Sequence, residues 1–212
     1  MKDIIIYGCG SLGRMIEQII YDINQEQKEW TLVGFIDDDP HKHGCSVVGY
    51  PVLGGIEDVK RYRTFIIIGF STPRQRQRAL KRLIAKKINN YATLVHPASW
   101  ISRRVEIGEG SIIYPGVHID VDVRIGCHSI FNKLCTIGHD SSFADFVTSA
   151  PAVNFGGNIQ IGEGCEFGIN SATVQGIKIG EWTTIGAGTV VTNDLPANCT
   201  AVGIPAKPIK FH

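Results

Sequence analysis

The chain has 212 residues, enough for one large domain or two small ones. Its 21 Lys and Arg against 20 Asp and Glu leave a formal net charge of +1, which argues against a nucleic-acid partner, because such binders carry a strong basic excess. Hydrophobic residues make up 43%, ample for a core, yet no apolar run approaches the ~18 residues of a membrane span.

Residues 4–7 form a short β-branched run, and the opening reads as a strand rather than a secretion signal. A cytoplasmic location is expected. Gly8-Cys9-Gly10-Ser11-Leu12-Gly13 follows, a G-x-G-x-x-G turn. Met15, Ile16, Ile19, Ile20 and Ile23 then recur at helical spacing. Residues 31–36 read as a second strand ending in Asp37-Asp38-Asp39, and residues 65–68 as a third ending at Gly69. A basic helix is expected from Pro73 to Lys87. Glycines let the backbone approach a ligand closely, and a helix start offers free N–H groups and a positive dipole end. A carboxylate ending the second strand can accept hydrogen bonds from ribose or base. The same pattern also fits a plain glycine turn in an α/β domain. A complete dinucleotide fold needs six strands, and only about 90 residues are available, so a dehydrogenase is disfavoured and a mononucleotide is the better fit.

The six cysteines lack the clustered spacing of a zinc site. They are expected as reduced thiols, with no metal. Charge divides the chain: residues 1–100 carry 14 basic against 10 acidic residues, residues 101–212 carry 7 against 10. The boundary is placed at 93/94, giving domains 1–93 and 94–212.

From Ile101 onward an apolar residue recurs every six positions to Val191, with only Ser149 and Thr173 departing. Four places after each stands a small or branched residue. Glycine follows the apolar residue directly in eight of sixteen hexads, as at Gly108, Gly126, Gly138 and Gly162. A period of six fits neither a helix nor a flat sheet. It fits a coil of three short strands and three corners, with glycine where a Cβ would clash. Successive coils would pair in parallel at roughly 4.8 Å. Five to six coils are expected.

This repeat resembles that of the hexapeptide-repeat acyltransferases, and the ending Gly203-Ile204-Pro205-Ala206-Lys207 is similar to their closing segment. The Rossmann-like opening, Asp37-Asp38, Ile68-Gly69 and His96-Pro97 narrow the resemblance to the sialic acid O-acetyltransferase (NeuD) and bacillosamine-pathway N-acetyltransferase (PglD) family, over essentially the whole chain. The resemblance implies a left-handed β-helix after the small α/β domain, a homotrimer, and acetyl-CoA lying in grooves between neighbouring helices. It implies a nucleotide-sugar acceptor held by Gly10, Ser11, Leu12, Asp37, Asp38 and Gly69.

Acetyl transfer needs a base largely unprotonated near neutrality, which suits imidazole. His139 stands at a hexad corner and is followed by Asp140; in the family a His followed by an acid is the catalytic pair here. Gly157 lies one coil on, and the family uses its N–H for the thioester oxygen. Carried over likewise, Thr148, Ile169, Ala187 and Lys207 fall at acetyl-CoA contacts. Two positions depart from the UDP-amino-sugar acetylating relatives, which have His where this chain has Leu12 and Thr148. N-acetylation of a nucleotide-linked amino sugar for surface glycans is the preferred expectation. O-acetylation of sialic acid or a related sugar, and a non-catalytic trimeric scaffold, are the alternatives.

Overall fold

The computed structural model describes residues 1–212 and divides them into two compact units, Met1–Pro97 and Ala98–His212. None of its helices is long and apolar enough to cross a membrane.

In the first unit, strand β1 (Lys2–Tyr7) leads through the glycine turn into helix α1 (Ser11–Glu26), which returns to strand β2 (Trp30–Ile36). A two-residue hairpin follows, β3 (Ser46–Val47) with β4 (Tyr50–Pro51), then strand β5 (Phe65–Ile68) and helix α2 (Pro73–Ala85). The three longer strands are parallel, in the order β2-β1-β5. Ile4 to Tyr7 of the central strand are all fully buried, which is why they form an unbroken apolar run and not an alternating one. Helix α1 buries Ile16, Ile19, Ile20 and Ile23, at about 1.5–3 kcal/mol for each side chain so removed from water. It begins four residues before Met15, the first of the spaced apolar residues. Gly10 caps it, and its first turn holds no acid. Helix α2 starts at Pro73 as expected, capped by the Thr72 hydroxyl, and ends two residues early, where Lys87 turns to φ 62°.

The second unit is a parallel β-solenoid of about six turns, a left-handed β-helix. Its walls are sheets of two-residue strands. One runs Trp100–Ile101, His118–Ile119, Thr136–Ile137, Asn154–Phe155, Ala172–Thr173 and Val190–Val191. The others begin in this unit at Glu106–Ile107 and Ile112–Ile113, and the two-residue strands pair at steps of eighteen residues, as Arg124 on Ser142 or Ile130 on Thr148, until the last coil, where Thr184 pairs with Thr200. The hexad residues point inward from Ile113 to Val191. Phe131, Phe143, Phe155 and Phe167 stack edge to face with centroids 4.8–5.2 Å apart, a favoured geometry for aromatic quadrupoles. The two non-apolar hexad residues are buried too, and their hydroxyls are used. Ser149 accepts from the Asn132 N–H and Thr173 from the Gly156 N–H at 3.0 Å. Serines four places on clip coil to coil: the Ser111 hydroxyl donates to the Gly126 carbonyl and accepts the Ser129 N–H, both at 3.0 Å.

The corners bear out the expectation of glycine where a Cβ would clash. Glycine just after the apolar residue is not at the left-handed position. It is there because the next coil passes too close: a Cβ on Gly108 would lie 2.6 Å from the Cys127 nitrogen, and one on Gly138 would lie 2.5 Å from that of Gly157. The left-handed residue comes two places later, at Asp122, His128, Leu134, Asp140, Phe146 and Ala152, with φ between 54° and 62°. Glycine holds the same place at Gly110, Gly116, Gly164, Gly176 and Gly188, but the other corners put non-glycine residues in this region at a cost of about 1–2 kcal/mol each, so glycine marks only some of the corners in the sequence.

Candidate active site

Two places collect the polar residues singled out from the sequence. In the first unit a hollow of about 240 Å³ is lined by Gly8, Gly10, Ser11, Leu12, Asp37, Lys42, Gly69 and Gln75 among others. It sits at the carboxyl ends of parallel strands, the usual ligand position in open α/β sheets. Asp37 is buried there and saturated with donors. Its carboxylate accepts the Cys9 N–H and thiol at 3.1 Å each, the Asp39 N–H at 3.0 Å, and Lys42 Nζ on both oxygens at 3.1 Å. Burial opposes its ionisation, but these bonds prevail and hold the carboxyl below the usual range. In return, burial and the Asp37 carboxylate push the Cys9 thiol up to about 11. Asp37 thus ties the end of β2 to the glycine turn.

Asp38 is not among the residues lining the hollow. It receives the Tyr7 hydroxyl at 2.6 Å and a two-pronged pair from Arg82, with Nη2 at 2.9 Å from Oδ1. Lys42 and Arg82 were not anticipated. Lys42 lies five residues beyond Asp37, a spacing that gives no signal outside a helix, and Arg82 reaches Asp38 across 44 residues.

In the second unit, His139 and Asp140 lie on one corner of the β-helix, both exposed. His139 Nδ1 stands 2.7 Å from Asp140 Oδ2. A carboxylate can only accept, so in the neutral ring this bond requires the proton on Nδ1 and leaves the lone pair on Nε2. Asp140 reaches this position through its left-handed backbone, φ 56°. The His139 carbonyl is fixed from above by the Asn158 N–H at 2.7 Å. Gly157 stands over the ring: a Cβ there would lie 2.8 Å from His139 Nε2. Its missing side chain is what leaves Nε2 accessible.

The remaining expected residues occupy another corner. Ile169 and Ala187 stack on adjacent coils, joined by the Gly188 N–H to the Ile169 carbonyl at 2.8 Å, and both are exposed. Thr148 lies on a strand between Ile130 and Glu166. Lys207 is exposed on a closing strand, Lys207–Phe211, that pairs antiparallel with Cys199–Val202. One chain therefore does not bring His139 and the Ile169–Ala187 corner together.

Four of the other histidines are structurally engaged. His96 pairs with Asp22 at 3.0 Å, and His43 bonds the Asp37 carbonyl at 2.8 Å. His128 is buried against Phe146, and His118 stacks on Trp100 with centroids 4.2 Å apart.

Residues 3–83 match the PglD N-terminal domain family. Over 218 aligned residues the chain is 30% identical to a GDP-perosamine N-acetyltransferase of Escherichia coli O157:H7, an alignment covering 97% of this chain and 95% of the relative. The chain belongs to the PglD/NeuD family of sugar acetyltransferases. Other members share the fold from end to end. PerB from Caulobacter crescentus, in complex with CoA and GDP-perosamine, superposes with a TM-score of 0.87 at 26% identity, covering 99% of this chain and 98% of PerB. The acetyltransferase domain of PglB from Neisseria gonorrhoeae FA1090, in complex with acetyl coenzyme A, gives 0.87 at 25% identity, covering 98% and 99%. As a member of the PglD/NeuD family the protein is an acetyltransferase.

Proposed function

We propose that the protein transfers acetyl from acetyl-CoA to the amine of a nucleotide-linked amino sugar destined for surface glycans, with His139 as general base. The observation that carries this reading is the His139–Asp140 pair at 2.7 Å, its Nε2 left open by Gly157. The relatives that act on, or are bound to, a GDP-amino sugar and CoA support the substrate class.

The acceptor nitrogen attacks the thioester carbonyl carbon, forming the C–N bond as its proton passes to His139 Nε2. Asp140 stabilises the imidazolium so created. The Gly157 N–H donates to the developing oxyanion, where a preorganised donor is most effective. Collapse breaks the C–S bond, and the imidazolium returns the proton to the leaving thiolate. The glycine-turn hollow, with Gly10, Ser11, Leu12, Asp37 and Gly69, takes the nucleotide or sugar part, and Asp38 acts there by fixing Tyr7 and Arg82. The Leu12 side chain cannot hydrogen-bond, so this turn meets the sugar through backbone and apolar contact. Thr148, Ile169, Ala187 and Lys207 hold the CoA.

The separation of the Ile169–Ala187 corner from His139 supports a homotrimer, in which a groove between copies joins one chain's base to the next chain's CoA contacts. A cytoplasmic enzyme drawing on the acetyl-CoA pool fits this chemistry.

The test is thiol release from acetyl-CoA against GDP-, UDP- and dTDP-linked amino sugars and free sialic acid, with product mass. Amide formation on a nucleotide amino sugar is expected. An ester on sialic acid would replace the reading with O-acetylation, and binding of acetyl-CoA without turnover on any acceptor would favour the scaffold. In the same assay His139→Ala should lower kcat by roughly 10²–10⁴-fold with the acetyl-CoA Kd little changed. Turnover near the wild-type rate would remove His139 from the mechanism.

A further inference from the structure

We infer that Arg104 and Asp122 are positioning residues for the His139–Asp140 pair, an ion pair one coil below that keeps a second carboxylate charge from acting on the base. The inference rests on His139 being that base. Arg104, Asp122 and Asp140 occupy the same corner place on three successive coils, eighteen residues apart, in the register that pairs Glu106 with Arg124 and Arg124 with Ser142. Asp122 and Asp140 share the left-handed backbone, at φ 59° and 56°. The Asp140 N–H donates to the Val121 carbonyl at 3.1 Å, so Asp140 stands directly over the residue before it in the ladder. Arg104 grips Asp122 with Nε on Oδ1 and Nη2 on Oδ2, both at 2.7 Å. Arg104, Asp122 and Asp140 border one hollow of about 670 Å³.

A carboxylate one coil spacing, about 4.8 Å, from Asp140 acts on the same imidazole. Unpartnered, it would favour the protonated ring and remove base from the neutral form. The planar guanidinium, matched to both carboxylate oxygens, neutralises it and fixes where it points. Its hold keeps the Asp122 carboxyl below the usual range. The other charged groups bordering the same hollow are Arg103, Glu106 and Arg124, and Arg124 also acts on Asp122. The coil above presents Gly157 and Asn158, and Val121 lies directly beneath His139. Among the charges, Arg124 is set against Glu106 at 3.5 Å and His118 against Asp120 at 3.4 Å. Arg103, two coils below His139, is exposed and also lines the hollow.

The experiment is an NMR titration of the His139 ring, assigned with His139→Ala, alongside the pH profile of kcat/KM. Arg104→Ala exposes the Asp122 charge and should move the His139 midpoint upward by roughly half a pH unit; Asp122→Asn leaves an unpartnered cation and should move it downward by a similar amount. The double variant should return to the wild-type midpoint, and Arg104→Lys should hold it. Salt at 1 M should collapse the displacements, since exposed charges are screened. The KM for acetyl-CoA should stay constant. Midpoints that do not move, or that move the same way in both single variants, overturn the inference while leaving His139 as base. A His139→Ala enzyme with wild-type turnover overturns both.

Discussion

Gly157 does its work by having no side chain. An added Cβ would lie 2.8 Å from His139 Nε2 and about 3.1 Å from the neighbouring ring carbons. The atom in the way is the end of a rotatable exposed side chain, not backbone. Gly157→Ala should therefore leave the melting temperature almost unchanged while pushing the imidazole aside. A displacement of about 1 Å is enough to cost on the order of 10² in kcat. A variant that melts normally and keeps wild-type turnover would show that the ring is not used where it stands. Asp140→Asn removes a negative charge from beside the imidazole and makes imidazolium less favourable. The acidic limb of the kcat/KM profile should move to lower pH, checked against the wild type over the same range. At this scale the sequence is informative where chemistry and spacing coincide: His139 and Asp140 are adjacent, and Gly157 follows from an eighteen-residue step. It is silent on the two partners of Asp38: Tyr7 and Arg82 are brought together only by the sheet and helix α2.

The glycine turn between β1 and α1 depends on a carboxylate from a different strand. Asp37 of the β2 end holds the Cys9 N–H, the Cys9 thiol and Lys42. Its folded-state pKa is depressed, so its contribution to stability is complete above the unfolded value of about 3.9 and is lost as pH falls through the lowered folded value. Asp37→Asn should destabilise the first unit by about 1–3 kcal/mol at pH 7, the range for a charged hydrogen-bonded group, which is several degrees for a unit of this size. The gap between variant and wild type should narrow below about pH 4. Calorimetry at both pH values checks this, and a constant gap would show that the carboxylate's charge is not the cause. The elements themselves were largely readable. The β-branched runs marked β1, β2 and β5, and the hexads marked the coils, because each apolar residue there faces a core. The β3–β4 hairpin was not readable, since two-residue strands give no period. Nor were most of the left-handed corners, which accept Asp, His, Leu, Phe, Ala, Asn and Trp as well as Gly; what they share is a backbone angle, not a side-chain type.

For the whole molecule, the arrangement of corners supports the proposed assembly. Ile169 is 52% exposed, on a different corner from His139. Light scattering at micromolar concentration should give about three times the 23.2 kDa chain mass; a value near one chain mass would mean that the base and the CoA contacts must meet within a single copy. The closing strand has a separate consequence, for what the molecule does not do. A parallel coil ends on strands with unsatisfied backbone groups, and another coil can always be added to such an edge. Here Lys207–Phe211 lies on Cys199–Val202 in the opposite direction to every strand pair in the coils. The strand carries Lys207, Pro208 and Lys210, the residue types that discourage edge pairing. On that wall the template is blocked by a reversed, charged strand, so chains do not continue one another end to end there into fibres.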